Sequence, residues 1–341
     1  MDKRVITFGE IMMRLNPKGY CRFVQAEEFE ISYAGGEANV AVSLANYGID
    51  SAFVTKLPDN ELAQSAVNAV RRFGVDTSLI VRGGDRLGVY FVEKGASQRA
   101  SKVIYDRAHS SIAEASVSDF DWEKIFECAT WFHFTGITPA LGGQTAELCL
   151  EACKVARKKG LTISCDLNYR KKLWSTKEAG TVMSSLLPYV DVCIANESDA
   201  ADVFGIHAPG TDVEQGKLDS AGYTYVAQEI ASRFGCKMVA ITLRGSISAS
   251  INEWGGMLFD GKNAYFSPQY SIQVVDRVGG GDSFGGGLLY SLMENYAPQD
   301  AINFAVAAST LKHTIEHDFN LVSLAEVKAL AAGNISGRVQ R

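Results

Sequence analysis

Residues 273 to 287 read QVVDRVGGGDSFGGG, with six glycines around Asp282, much backbone freedom beside one carboxylate. Glycine loses more conformational freedom on ordering than any other residue, so such a cluster needs a reason. A β-rich run ends at Val275, Gly279, Gly280 and Gly281 follow, and a helical pattern opens near Asp282 and continues as DSFGGGLLYSLMEN. Consecutive glycines let neighbouring N–H groups turn toward one point, and a helix N-terminus adds roughly half a positive charge there. The three glycines therefore predict an anion site. A carboxylate inside an anion site repels the anion, so Asp282 makes sense as a base that takes a proton from a hydroxyl attacking a bound phosphoryl group. Gly285, Gly286 and Gly287 fall in the first turns of the helix, where close packing or ligand approach is expected. No lysine follows in the GxxxxGK[ST] arrangement, which excludes a P-loop. A dinucleotide fingerprint fits less well, because it opens on the first strand of its fold and these glycines come late in the chain.

On the N-terminal side of this stretch, short β-rich runs alternate with longer helical ones. VITFGE (5–10), SAFVTKL (51–57), WFHFTG (131–136), TISCDLN (162–168), VCIANE (192–197) and MVAITL (238–243) are apolar on both sides of the pleat, as parallel strands covered by helices must be. ANVAVSLANYG (38–48), ELAQSAVNAVRRFG (61–74), TAELCLEACKVARKKG (145–160), QDAINFAVAASTLKHTI (299–315) and SLAEVKALAAG (323–333) read as helices. This predicts one doubly wound α/β domain over 1–341, its mostly parallel central sheet flanked by helices. Residues 11–34 and 86–109 break the rhythm with short alternating strands, GVYFVEKG (88–95) and SKVIYDRAH (101–109), joined by ASQR. They predict a small inserted β-sheet. Period two puts Val103, Tyr105 and Arg107 on one face; the insert is either a lid projecting an aromatic and a guanidinium over a cleft, or a solvated hairpin with Arg107 as a surface charge.

The chain has 341 residues, 47% of them hydrophobic and 21% charged, ordinary values for a soluble globular protein. A formal net charge of −6 lacks the broad basic excess that neutralises a nucleic-acid backbone. No stretch approaches the ~20 apolar residues of a membrane span, and the N-terminus lacks a signal-peptide pattern, so a cytoplasmic protein is expected. Seven cysteines, an odd number without paired CxxC spacing, predict reduced core thiols. Cys149 and Cys153 lie one helical turn apart but lack histidines at matching spacing, so no metal site is assigned to them.

VVDRVGGGDSF resembles the C-terminal signature of the ribokinase-like (pfkB) family of carbohydrate kinases, D-T-x-G-A-G-D, with Asp276, Gly279, Gly281 and Asp282 on the matching positions. YAGGEANVAVSLANYG (33–48) resembles that family's Gly-Gly-x-x-Asn motif, CDLNYR (165–170) its D-x-N-x-R element, and ITLRGS (241–246) the strand and turn that approach the nucleotide. Jointly they follow the family's order over nearly the whole chain. Within the family, DLNYR, VIYDR, LRGSISAS, DRVGGGD and LKHTIEHDFN are most similar to kinases of 2-keto-3-deoxygluconate.

The resemblance implies a ribokinase-like fold with a β lid, and ATP-dependent phosphorylation of the terminal hydroxyl of that keto acid. It implies ATP and magnesium as cofactors and leaves a monovalent cation open. The expected partners are a sugar acid and ATP, with no nucleic acid or membrane; the open edges of the lid strands, rather than the resemblance, add the expectation of a homo-oligomer formed through them. By the same resemblance Asp282 is the catalytic base, and Gly279, Gly280 and Gly281 form the anion hole. Gly35, Gly36, Asn39, Tyr90, Tyr105, Arg107, Arg170 and Asp318, together with Asp282, hold the sugar acid. A carboxylate beside a ketone calls for guanidinium forks and hydroxyl donors. Asn196, Thr242, Arg244 and Gly245 serve the nucleotide with Gly279 and Gly281. Glu197 and Asp199 are the candidate magnesium ligands, since the family's Asn-x-x-Glu appears here as NESD (196–199). Arg277 and Val278 replace the usual two threonines, Gly280 replaces alanine, and ITLRGSISAS lacks a second glycine, which leaves the adenine contacts open. The alternatives are a fructokinase, a 5-dehydro-2-deoxygluconokinase, or a non-catalytic sugar or nucleotide sensor of the same fold.

Overall fold

A computed structural model describes residues 3–196, 198–208 and 220–334. Its main sheet has nine strands. In order they are Ala264–Phe266, Ile251–Phe259, Met238–Ser246, Val192–Asn196, Thr162–Asp166, Trp131–Thr135, Arg4–Phe8 and Asp50–Val54, with Tyr270–Gln273 paired to Ile251–Phe259. From Met238–Ser246 to Asp50–Val54 every pairing is parallel, and the remaining strands add antiparallel. Each of the six apolar runs thus lies on a parallel strand. After Arg4–Phe8 the chain lays Asp50–Val54 on one side and then Trp131–Thr135 on the other. Such a reversal leaves a crevice at the carboxyl ends of the strands, where open α/β sheets bind ligands.

Helices cover both faces. Phe132, Phe134, Leu148 and Cys153 belong to the core on one side, and Val40, Leu44, Phe284 and Leu288 to that on the other. The Gly280–Met293 helix lies between Gly36–Asn46 and Pro298–Lys312. A Cβ on Gly286 would come within 2.6 Å of the Ser43 Cβ, and one on Gly287 within 3.0 Å of the Ala308 Cβ. The second glycine triplet therefore serves close helix packing, and that packing sets the N-termini of Gly36–Asn46 and Gly280–Met293 against each other.

A second, four-stranded sheet runs Phe29–Ala34, Met12–Pro17, Gly88–Glu93, Lys102–Asp106. Its register places Arg14 opposite Tyr90, and Tyr90 opposite Tyr105, so these residues share the face toward the crevice. Leu15, Ile31, Phe91 and Ile104 share the other face. Arg107 is not a surface charge: its side chain is 11% exposed and ion-paired with Glu10.

Three expectations change. The strand before the glycines ends at Gln273 rather than Val275, and the following helix starts at Gly280 rather than near Asp282. Only Gly279 is left-handed (φ +81°), while Gly280 and Gly281 form the first helical turn. A Cβ on Gly280 would meet the His313 ring at 2.4 Å, so the helix can begin there only without a side chain. Finally, five of the cysteines are buried, but Cys21 and Cys128 are exposed. Among the described residues no helix is long and apolar enough to cross a membrane.

Candidate active site

A cavity of about 320 Å³ opens at the carboxyl ends of the parallel strands, between the two helix N-termini and the second sheet. It brings together Gly35, Gly36, Asn39, Tyr90, Tyr105, Arg107, Arg170, Asn196, Thr242, Arg244, Gly279, Gly280, Gly281, Asp282 and Asp318. Gly245 is not in its wall; it pairs with Glu253 across the sheet, and a Cβ there would press on that side chain at 3.2 Å. Asp199 lines an adjoining, more open cleft of about 1080 Å³ instead. Glu197 lies outside the described residues.

Asp282 stands in the first turn of its helix and accepts a hydrogen bond from Asn39 Nδ2 at 2.6 Å. Although the residue keeps some solvent contact at the cavity, desolvation of its carboxyl outweighs the Asn39 bond and holds its pKa up at about 6. A Cβ on Gly36 would sit 3.6 Å from Asp282 Oδ1, so its absence leaves room for a ligand against the carboxylate. No side chain caps the helix at Gly279. The first-turn N–H groups of Gly281 and Asp282 have no intrahelical partner by helix geometry, and both residues line the cavity. Arg244 and Arg277 stand in the same wall. Burial and repulsion by Arg244 push the Arg277 pKa below its ordinary value, even though Arg277 donates to Ala249 O at 3.0 Å. Two cations that disfavour each other beside an uncapped helix N-terminus make a corner that selects an anion.

On the opposite side, Arg107 pairs with Glu10 at 2.7 Å and lies over the Tyr105 ring, 4.7 Å from its centroid. Glu10 also accepts from Ser110 Oγ at 3.1 Å, and burial raises its pKa. The Tyr90 and Tyr105 rings are nearly parallel, 6.0 Å apart. Asp318, expected to read the sugar, stands in the cavity wall and has both oxygens engaged within the protein: Arg14 Nη1 donates to one at 2.5 Å and Tyr90 OH to the other at 2.8 Å. Fully buried Arg14 requires that compensation.

Several wall or supporting residues were given no role from the sequence: Glu10, Arg14, Glu37, Asp166, Asn168 and Arg277. Glu37 Oε1 accepts from Thr135 N (2.9 Å), Thr135 Oγ1 (2.7 Å) and Thr138 Oγ1 (2.6 Å), which ties the Gly-Gly-x-x-Asn turn to the neighbouring strand end. Burial lifts its pKa to about 7. Asp166 opens the D-x-N-x-R element, and that was the one signal that could have found it. Burial raises its pKa well above the usual range, with Asp199 and Asp282 adding repulsion and Arg170 opposing. Asp199 is buried, and its oxygens accept from Tyr169 N at 3.2 Å and Asn196 N at 3.1 Å. The mutual repulsion of Asp166 and Asp199 would be relieved by a divalent cation. Among the described residues no three such ligands cluster closely enough to cage one. Two neighbouring carboxylates are a donor set that fits magnesium, which takes one or two carboxylates and completes its shell with water and phosphate oxygens.

Residues 2–315 match the family model described as pfkB family carbohydrate kinase. The chain is similar to the 2-dehydro-3-deoxygalactonokinase of Haloferax volcanii, 34% identical over 337 residues and 99% of both chains. It is also similar to the 2-dehydro-3-deoxygluconokinase of Bacillus subtilis, 26% identical over 92% of this chain and 90% of that one. The crystal structure of the 2-dehydro-3-deoxygluconokinase of Thermotoga maritima, 50% identical, matches it with a TM-score of 0.94 over 98% of this chain and 99% of that one.

Proposed function

From a chain that belongs to the pfkB family of carbohydrate kinases, we propose the transfer of the γ-phosphoryl group of ATP to the terminal hydroxyl of 2-keto-3-deoxygluconate (2-dehydro-3-deoxygluconate). The observation that carries this is Asp282, a carboxylate with pKa about 6, held by Asn39 in the first turn of the helix that follows Gly279. A binder of anions gains nothing from a carboxylate there, whereas a kinase needs a base within reach of the attacking hydroxyl.

The sugar acid enters between Gly36 and the second sheet, which acts as the lid. Its carboxylate meets Arg107 and Arg170, and its terminal hydroxyl lies against Asp282. Asp282 takes the hydroxyl proton as the oxygen bonds to the γ-phosphorus and the bond from that phosphorus to the β-phosphate oxygen breaks. Charge gathering on the transferred group is met by the N–H groups of Gly281 and Asp282 and by the positive end of the helix. Arg244 and Arg277 hold the remaining phosphates. Asp166 and Asp199 would hold magnesium, which when bound neutralises phosphate charge. Closure of the lid excludes water that would otherwise accept the phosphoryl group.

An assay of ADP release over keto acids, aldonic acids and neutral ketoses tests this; turnover of neutral ketoses alone would overturn it. The 2-keto-3-deoxygalactonate epimer is the second reading, raised by the name of the Haloferax relative, and the same panel separates the two. Exchanging potassium for sodium in that assay reads the monovalent-ion requirement. Arg107→Ala is expected to raise KM for the keto acid by roughly 10- to 100-fold, the value of a charge-assisted hydrogen bond, with a smaller change in kcat. An unchanged KM would remove Arg107 from substrate binding.

The outer face of the lid carries Ile31 and Ile104, 59% and 53% exposed, and Phe29–Ala34 is an edge strand. An exposed apolar face beside an open edge is an association site, and we assign it to a second copy of the chain. Ile31→Lys should shift the size-exclusion mass from dimer to monomer; a wild type that elutes as a monomer refutes the assignment.

A further inference from the structure

Arg14 is the largest fully buried side chain among the described residues, yet it does not line the cavity. Its two terminal nitrogens grip different segments: Nη2 donates to Asp276 Oδ2 at 2.6 Å and Nη1 to Asp318 Oδ1 at 2.5 Å. Asp276 opens the glycine corner, and its other oxygen accepts from Val278 N at 3.1 Å. Lys312, also buried, donates to the Asp276 carbonyl at 3.1 Å. Asp318 backs the same corner, because a Cβ on Gly279 would sit 2.2 Å from its carbonyl oxygen. The other oxygen of Asp318 returns to the lid through Tyr90. Arg14 itself stands on the lid strand Met12–Pro17. One planar guanidinium thus spans the sheet that covers the sugar and the loop that receives the phosphate.

We infer that Arg14 is a positioning residue that couples the two halves of the cavity, so that filling the sugar side sets the glycine corner for the nucleotide. The coupling presupposes the kinase activity proposed above. Linkage makes it reciprocal: the nucleotide tightens the sugar by the same factor. A rigid fork shared by two carboxylates can carry such coupling, because movement of the lid strand must move Asp276 and Asp318 or break a charge-assisted bond. Lysine keeps the charge but cannot bond both carboxylates as a fork.

The test is calorimetric titration of the full chain with the β,γ-imido analogue of ATP and magnesium. It is run with and without saturating amounts of whichever sugar the wild type phosphorylates in the panel described above. The wild type is expected to bind the analogue about 5-fold tighter or more when the sugar is present. In Arg14→Lys the factor should fall below about 2-fold, and in Asp318→Asn, which weakens one arm, it should lie between the two. Should Arg14→Lys fail to fold, Asp318→Asn alone carries the test. A merely structural role would lower the melting temperature of the variants and leave the coupling factor at the wild-type value. That result overturns the inference, as does a wild type that binds both ligands independently. A wild type that phosphorylates a sugar other than the keto acid defeats the substrate assignment alone, since coupling is then measured with that sugar.

Discussion

Asp282→Asn is expected to lower turnover by roughly 10²-fold or more while substrate affinities stay within a few-fold, because only the proton acceptor is lost. The amide oxygen can still accept from Asn39, whose Nδ2 lies 2.6 Å from the carboxylate. The pH dependence follows from the same carboxyl. With its pKa held up at about 6, the base is ionised above that value and protonated below it, so wild-type kcat/KM should fall as pH drops through about 6. The residual activity of the variant should lack that limb. Stability moves the other way. A folded-state pKa above the unfolded value means that the native state binds more protons, so the ionised carboxylate destabilises the fold at high pH. The variant should therefore be more stable than the wild type above pH 6, by about 1–2 kcal/mol after allowance for solvent contact, and the difference should fade as pH falls toward about 4. Steady-state rates and denaturant melts between pH 4 and 8 check both statements; near-normal turnover in the variant would remove Asp282 from the role of base.

Gly279→Ala carries the second large effect. Its φ of +81° is a left-handed conformation, and a Cβ would lie 2.2 Å from the Asp318 carbonyl oxygen. Left-handed backbone costs a non-glycine residue about 1–2 kcal/mol before any clash. The clash moves backbone rather than a flexible side-chain end, so a total loss of roughly 2–4 kcal/mol is expected. Turnover should fall with stability, because displacement of a catalytic group by ~1 Å costs about 10²-fold. Gly281→Ala is the comparison: a Cβ there meets nothing within 4 Å, so melting temperature should be kept and any loss assigned to crowding of the phosphate corner. Equal melting temperatures for wild type and Gly279→Ala would refute this account of the corner.

Much of this site was legible. The carboxylate inside a glycine-rich anion motif pointed to Asp282 without a structure, because its chemistry follows from residue type and neighbours in sequence. Arg107 was legible as a residue sharing a face with Tyr105, but its pairing with Glu10 was not, since Glu10 comes from a different strand end. Arg277 read as a departure from a family pattern; its place beside Arg244 depends on a strand some thirty residues earlier in the chain. Arg14 sits in the run MMRLNP. Nothing local shows that partners 262 and 304 residues away close over it.

The alternation of parallel strands and helices, the inserted small sheet, and the acid–glycine chemistry of residues 276–282 are all written in the residues themselves. Those follow from local periodicity and from what a carboxylate and bare N–H groups do next to each other. Which glycine of the triplet turns left-handed is a tertiary matter, because His313 and Asp318, beyond the helix that follows the triplet, fold back to crowd Gly280 and Gly279. The tertiary structure also decided that Asp318 and Arg14 compensate each other while Asp282 is left to titrate near pH 6. Burial and charge compensation depend on what distant segments bring to a point in space, and no local pattern contains that.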